Sequence, residues 1–257
     1  MKKTNLKVTV ITVCYNSQKF IEKTIDSVLA QKYENIEYLI IDGGSEDLTL
    51  SIIKKYANSS DKIKWLSEED GGIYDAMNKG ISLASGDIVG FLNSDDFYAN
   101  DIVISTVVDN LNNSNHDLCY ADLDYVSRDF PGVILRKWKS RSFEFGLFAK
   151  GWCPAHTTLF IKRQALLDLG FYDLSYSSGN DVEWMMRALE VHRFKSNYIP
   201  QVFIKMRMGG VSNSSIIGIY RQNLNIVRAL KKYNLWIGYC SFFCNKFFSR
   251  FKQLVCG

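Results

Sequence analysis

Proline is scarce in this chain, with three in 257 residues, and no Pro- or Gly-rich stretch marks a linker between independent domains. Histidine is as rare, also with three. The six cysteines, at positions 14, 119, 153, 240, 244 and 256, form no CxxC pair and have no His at ligand spacing. A zinc site and a disulfide framework are therefore not expected, and free thiols in a reducing cytosol are. One-sided charge is missing as well: 31 basic against 27 acidic residues leave a net +4, spread too evenly to argue for nucleic acid as a partner. The apolar run Leu235 to Cys244 (LWIGYCSFFC) is about half of the ~20 residues that span a bilayer, and Lys246, Arg250 and Lys252 interrupt the stretch after it. The start, MKKTNLKVTVITVCYN, is basic, but Thr9 and Thr12 break its apolar stretch, so it reads as a first strand rather than a signal peptide.

What is present is enough apolar mass for a sizeable core, 47% hydrophobic and 14% aromatic. Residues 7–14 (KVTVITVC) are β-branched and nearly continuous in apolar character, as in a strand covered on both faces. Ser17 is the expected N-cap of a helix whose stripe is Phe20, Ile21, Thr24, Ile25, Val28 and Leu29. The alternation repeats with strand 36–42, helix 47–57, strand 62–67, a helix near 74–84 and strand 87–92. Such spacing predicts βαβ units and a mostly parallel, Rossmann-like sheet flanked by helices, an α/β class of fold. Further strands are expected near 117–126, 132–138 and 197–204, with helices at 181–191 and 216–232.

In open sheets of this kind ligands collect where the loops leave the carboxyl ends of the strands. That rule selects Cys14 to Asn16, Asp42 to Ser45, Ser67 to Gly72 and Asn93 to Asp96 as one rim. Asp95 and Asp96 there have two readings. They cap a helix beginning near Tyr98, or they hold a hard cation jointly with a diphosphate, since Mg²⁺ takes one or two carboxylates plus substrate phosphates. Asp42 before Gly43-Gly44-Ser45 is an Asx turn or a nucleoside contact. No P-loop and no GxGxxG fingerprint is present. In SYSSGNDVEWMMRAL, Asn180 and Glu183 make a capping box, which leaves Asp181 free to face a cleft as a general base. His156, in GWCPAHTTLF, is either structural or a border of the acceptor cleft.

These residues carry a pattern. From about Val8 to Gly210 the chain resembles the family 2 glycosyltransferases of the GT-A fold, in particular bacterial enzymes that assemble O-antigen or capsule repeats. The resemblance rests on VTVITVCYNSQKFIEKTIDSVLAQKYENIEYLIIDGGSEDLT, EEDGGIYDAMNKGISLASGDIVGFLNSDD, PAHTTLFIKR with FYD, and GNDVEW. It implies that Val13 and Tyr15 line the nucleotide pocket, that Asp42 contacts the nucleoside, Asp95 the ribose or sugar, and Asp96 a divalent cation, Mn²⁺ or Mg²⁺. Asp181 matches the family's base, and Asp70 to Lys79, with Tyr74, Asp75 and Asn78, its donor-side loop and helix. Two departures stand out: Gly43 replaces a second acidic residue common after the second strand, and the cation motif reads Ser94-Asp95-Asp96 rather than Asp-x-Asp.

The implied reaction is a single displacement with inversion, moving a hexose or N-acetylhexosamine from a nucleotide-sugar, by family frequency a UDP-sugar, to a lipid-linked saccharide acceptor. A sugar nucleotidyltransferase and a non-catalytic nucleotide or glycan binder are the competing classes. The first would carry a Gly-rich basic loop after the first strand, and the second would lack a base. A catalytic domain over 1–215 and a helical extension over 216–257 are expected. From Arg221 onward the chain is basic and aromatic with no acidic residue, which fits either a helix packed on the core or one lying in an anionic membrane interface. The second option places the protein in the cytoplasm, peripherally on the inner face of the cell membrane.

Overall fold

The β-branched runs do form the sheet. The computed structural model describes residues 5–209, 216–238 and 242–243. Its first half runs β1 (Val8–Cys14), α1 (Ile21–Leu29), β2 (Ile36–Asp42), α2 (Thr49–Ala57), β3 (Ile63–Ser67), α3 (Ile73–Leu83) and β4 (Ile88–Phe91). Every residue of β1 and β2 is buried, because helices cover both faces. β3, β2, β1 and β4 lie side by side and parallel, with Val13 opposite Ile41 and Cys14 opposite Asp42. α3 approaches β1 closely because position 80 has no side chain: a Cβ on Gly80 would sit 2.5 Å from Ile11 Cγ2.

The second half continues with β5 (Phe97–Tyr98), α4 (Val103–Asn112), β6 (Leu118–Val126), β7 (Ile134–Trp138), β8 (Phe160–Lys162), α5 (Arg163–Leu169), α6 (Asn180–Met186), β9 (Ser196–Arg207) and α7 (Ile216–Lys232). The sheet order is β3-β2-β1-β4-β8-β6-β9-β5, with β7 paired to β6. Here the parallel rule lapses: β8 is antiparallel to both β4 and β6, and β5 is antiparallel to β9.

Three local expectations are corrected. Residues after Asp96 enter strand β5, and the next helix, α4, starts only at Val103, so neither Asp95 nor Asp96 caps a helix. The first turn of α1 begins at Ile21 rather than after Ser17, whose hydroxyl instead meets Ser94 at 2.8 Å. The N-cap of α6 is Gly179, at φ 77°, where a side chain would be strained. Asn180 donates to the carbonyls of Asp173 and Tyr176, and Glu183 is bound by Arg187 and Tyr233, so no capping box forms.

α7 lays Ile226, Val227, Ala229 and Leu230 into the core, and Leu235, Trp236 and Phe242 pack behind them. The remainder of the aromatic tail, 239–241 and 244–257, lies outside the described residues. Among the described residues no helix is long and apolar enough to cross a membrane. Cys14, Cys119 and Cys153 are free thiols.

At the end of the sheet away from the rim, Glu37 on β2 is 2% exposed in its side chain. It receives Lys7 Nζ (3.1 Å), Lys64 Nζ (2.8 Å), Thr9 Oγ1 (2.7 Å) and both the amide (2.9 Å) and hydroxyl (2.8 Å) of Ser85. Burial alone would raise its pKa, but the bonds from Lys64, Ser85 and Thr9 outweigh burial and hold it well below the usual carboxylate range. Its contribution to stability is therefore complete above the ordinary carboxylate pKa and is lost as pH falls toward the depressed folded value. Glu37→Gln is expected to cost about 1–3 kcal/mol, since both lysines keep contact with water. Thermal melts should show the deficit at pH 7 and its shrinkage at pH 3; equal melting at pH 7 would remove this role.

Candidate active site

The carboxyl ends of β1 to β4 bring the four expected loops onto one rim. Tyr15 stands 60% exposed above a buried Val13. Asn16, at φ 49°, donates its amide to Ser45 Oγ at 2.8 Å and accepts the Glu46 amide at 3.0 Å, which joins the first two loops. Asp42 is fully buried. Its carboxylate accepts Ser67 Oγ (2.7 Å), the Ser45 amide (3.1 Å), the Ser45 hydroxyl and Cys14 Sγ. It thereby locks the loops after β1, β2 and β3 together.

The space beside Gly43 is taken by a carboxylate from another loop. Asp70, from the loop after β3, accepts the Gly72 amide at 2.8 Å through Oδ1 and rests Oδ2 where a Cβ on Gly43 would collide with it. Glycine at 43 is what lets this carboxylate in. Asp75, in the first turn of α3, accepts the Gly71 amide at 2.9 Å and faces Lys79 Nζ at 3.8 Å.

Asp96 is 1% exposed. Asn93 Nδ2 donates to its Oδ2 at 3.0 Å and the Arg207 amide to its Oδ1 at 3.1 Å, leaving lone pairs free on both oxygens. Burial pushes the Asp96 pKa well up, and the neighbouring Asp95 charge adds to this; Asn93 and Arg207 oppose without prevailing. Asp95 is raised chiefly by burial, against the charges of Arg128 and Arg207. Arg207 Nη1 also donates to the Asp95 carbonyl, with its guanidinium over the rings of Phe20 (4.9 Å) and Phe97 (5.0 Å).

A divalent cation fits this pair. Two desolvated, mutually repelling carboxylates are what a hard cation relieves, and their donors are oxygen alone. No cluster of three or more His, Cys, Asp or Glu suited to a metal exists among the described residues. The protein would thus supply one or two ligands and leave the rest to a diphosphate.

The second carboxylate centre lies at the same end of β4. Tyr74 Oη donates to Asp181 Oδ1 at 3.1 Å. Tyr172 and His156 Nε2 share a hydrogen bond of 2.6 Å, and Tyr172 is pinned to Asn78 through the Tyr172 amide (2.8 Å) and carbonyl (3.1 Å). Phe91, the last residue of β4, stacks on His156 at 5.3 Å, and Tyr172 on Trp184 at 5.1 Å. Burial lowers the His156 pKa, while the charge of Asp181 pulls it back up. Both the lowered pKa and the Tyr172 bond favour the neutral imidazole, which sits half-buried among aromatic rings beside Asp181.

Of the residues singled out from sequence, Tyr74, His156 and Asp181 meet in one cluster and Asp95 and Asp96 in another, while Val13, Tyr15 and Asp42 belong to the loop set beside them. Sequence reasoning missed Arg207, 111 residues from Asp96, and Tyr172. A lone arginine ending a strand carries no local signal.

The profile of Glycosyl transferase family 2 matches residues 9–168, more than half of the chain. An uncharacterised glycosyltransferase of Mycobacterium tuberculosis is 34% identical over 190 residues, covering 70% of this chain and 68% of that protein. A PGL/p-HBAD biosynthesis glycosyltransferase of Mycobacterium bovis is 29% identical over 197 residues, 75% of this chain and 73% of that one. Among solved structures, the mannosyltransferase PcManGT of Pyrobaculum calidifontis, in complex with GDP-Man and Mn²⁺, matches with a TM-score of 0.68 at 19% identity, over 98% of this chain and 71% of that chain. S. aureus TarS 1-349 in complex with UDP-GlcNAc matches at 0.66 and 19%, over 88% and 66%. This chain spans 40% of a longer TarS chain. At these identities the likeness establishes the fold, which is the GT-A arrangement expected from the sequence.

Proposed function

Because the chain belongs to glycosyl transferase family 2, we propose that it transfers a hexose or N-acetylhexosamine from a nucleotide-sugar, a UDP-sugar by preference, to a hydroxyl of a lipid-linked saccharide during surface polysaccharide (O-antigen or capsule) assembly. The observation that carries this reading is the pairing of two carboxylate centres at one end of β4. One is a buried acidic pair suited to a cation, and the other is a single aspartate held by a tyrosine. The relatives whose structures contain UDP-GlcNAc or GDP-Man with Mn²⁺ support the donor class.

In this reading Asp181 takes the proton of the acceptor hydroxyl. The acceptor oxygen forms its bond to the anomeric carbon as the bond from that carbon to the diphosphate breaks, and the nucleoside diphosphate leaves with the electron pair, inverting the centre. Asp96, with Asp95 beside it, would hold Mn²⁺ or Mg²⁺. When bound, the cation neutralises charge on the departing diphosphate. Val13 and Tyr15 wall the nucleotide pocket. Asp42 serves the nucleoside side by fixing the loops around it, and Asp70 offers the carboxylate that position 43 lacks. Asp75 holds the glycine loop, and His156 borders the acceptor side. The enzyme would work in the cytoplasm on the inner face of the membrane, with the basic tail as one contact.

Tyr74 donates to the carboxylate proposed as base and so fixes its direction; losing one such bond in Tyr74→Phe is expected to lower kcat about tenfold. Donor affinity should be unchanged; an unaltered kcat would make the bond merely structural. The function itself is tested by incubating the protein with UDP-, GDP- and dTDP-sugars with and without Mn²⁺. Cation-dependent release of a free nucleoside diphosphate is expected for one donor. Release of pyrophosphate would favour a nucleotidyltransferase, and binding without any turnover a non-catalytic binder.

A further inference from the structure

One surface takes no part in this chemistry: the hairpin formed by the end of β6, the turn 127–133 and β7. The turn is closed, with the Ser127 amide donating to the Val133 carbonyl and the Val133 amide to that of Phe130, both at 2.9 Å. Its apolar side chains nevertheless face outward. Phe130 is 71% exposed, Val133 and Leu135 52%, and Ile134 44%. Successive strand residues point to opposite faces, so exposure of both Ile134 and Leu135 leaves the start of β7 open on both faces, although Tyr125 and Val126 on the neighbouring β6 are buried. The segment 128–141 also carries Arg128, Arg136, Lys137, Lys139 and Arg141 against Asp129 as its one acid.

Position adds to composition. β6 and β4 are each antiparallel to β8, so they run the same way, and the hairpin leaves the sheet at the end that bears Asn93 to Asp96. Arg128 fastens its base there, donating Nη1 to the Gly209 carbonyl at 2.9 Å with its guanidinium 4.6 Å from the Phe20 ring.

We propose that this hairpin is a membrane-surface contact, in which Phe130, Val133, Ile134 and Leu135 enter the headgroup region of an anionic bilayer while Lys137, Lys139 and Arg141 meet lipid phosphates. A second copy added along the free edge of β7 would cover that edge and leave the two faces bare. A lipid interface closes around both faces of an exposed tip, and the exposed Lys137, Lys139 and Arg141 match an anionic leaflet. For its purpose the proposal rests on the lipid-linked acceptor reading above, since a tip immersed beside the Asp95–Asp96 loop turns the donor site toward the surface where such an acceptor lies.

The test is co-sedimentation of the full chain with phosphatidylcholine vesicles, with and without phosphatidylglycerol, at low and high salt. Binding to the anionic vesicles, weakened by salt, is expected. The combined substitution Phe130→Asp, Ile134→Asp and Leu135→Asp should lower it at least about tenfold, with melting and donor turnover unchanged. Lys137→Glu with Lys139→Glu should lower it for the anionic vesicles. A triple variant that sediments like the parent overturns the proposal, as does a parent dimer, seen by light scattering, that the same variant makes monomeric. Vesicles carry no sugar, so the two readings fail separately. Hairpin-dependent binding with no transfer to any lipid-linked saccharide sinks the acceptor alone; transfer to such an acceptor with hairpin-independent binding sinks the hairpin alone.

Discussion

Asp181→Asn is expected to reduce transfer by about 10²–10⁴-fold, the usual worth of a positioned general base, while the donor nucleotide binds almost as tightly as before. The substitution is nearly isosteric, and an amide oxygen can still accept the Tyr74 hydroxyl, so the aromatic packing of Phe91, His156, Tyr172 and Trp184 has no reason to shift. What is lost is the site that takes the acceptor's proton. Steady-state kinetics with a titration of the nucleoside diphosphate separates the two effects. A variant that turns over normally but binds donor weakly would assign Asp181 to donor binding and leave the reaction without its base.

Asp96→Asn should have the opposite signature on stability and an equally large one on activity. A carboxyl whose pKa is raised on folding favours the folded state while protonated, at pH below the ordinary carboxylate range. It costs stability as pH rises through its raised value. Burial and the Asp95 charge put Asp96 in this class. Asparagine has no charge to bury, and a turn of the Asn93 amide restores that hydrogen bond. At neutral pH in a chelator the variant is therefore expected to melt a few degrees above the parent, at about 2–4 °C per kcal/mol for a chain of this size. Transfer should fall by about 10²-fold or more, taking about 3 kcal/mol as the cation's electrostatic share. The stabilisation that Mn²⁺ and a nucleoside diphosphate give the parent together should vanish. A variant that melts lower than the parent in chelator, yet keeps its cation response, would show that Asp96 is structural and that the cation sits elsewhere.

Much of the architecture is legible in the chain. β1 and β2 announce themselves as unbroken β-branched runs, and the boundaries of α3, β6 and α7 fall close to where periodicity puts them. The ends of elements are less legible. Ser17 and Asn180 carry the side chains that caps prefer, but each spends them elsewhere, on Ser94 and on the carbonyls of Asp173 and Tyr176. β5 reads locally as the start of a helix, because Phe97 and Tyr98 pair with Lys205 and Ile204, far along the chain, and such pairing leaves no local trace.

By itself the sequence determined the layered α/β class, the rim on which acidic residues gather and the family pattern, because apolar periodicity and motif spacing are properties of neighbours along the chain. Tertiary structure alone decided which of those carboxylates are committed and which are poised. Asp42 spends itself on three loops, Asp70 fills the space that Gly43 vacates, Asp96 lies desolvated under Arg207, and Asp181 is tethered to Tyr74. The reason is physical: hydrogen-bond partners and loss of water depend on contacts between groups as far apart as Asp96 and Arg207, 111 residues from each other, and no window of sequence contains both.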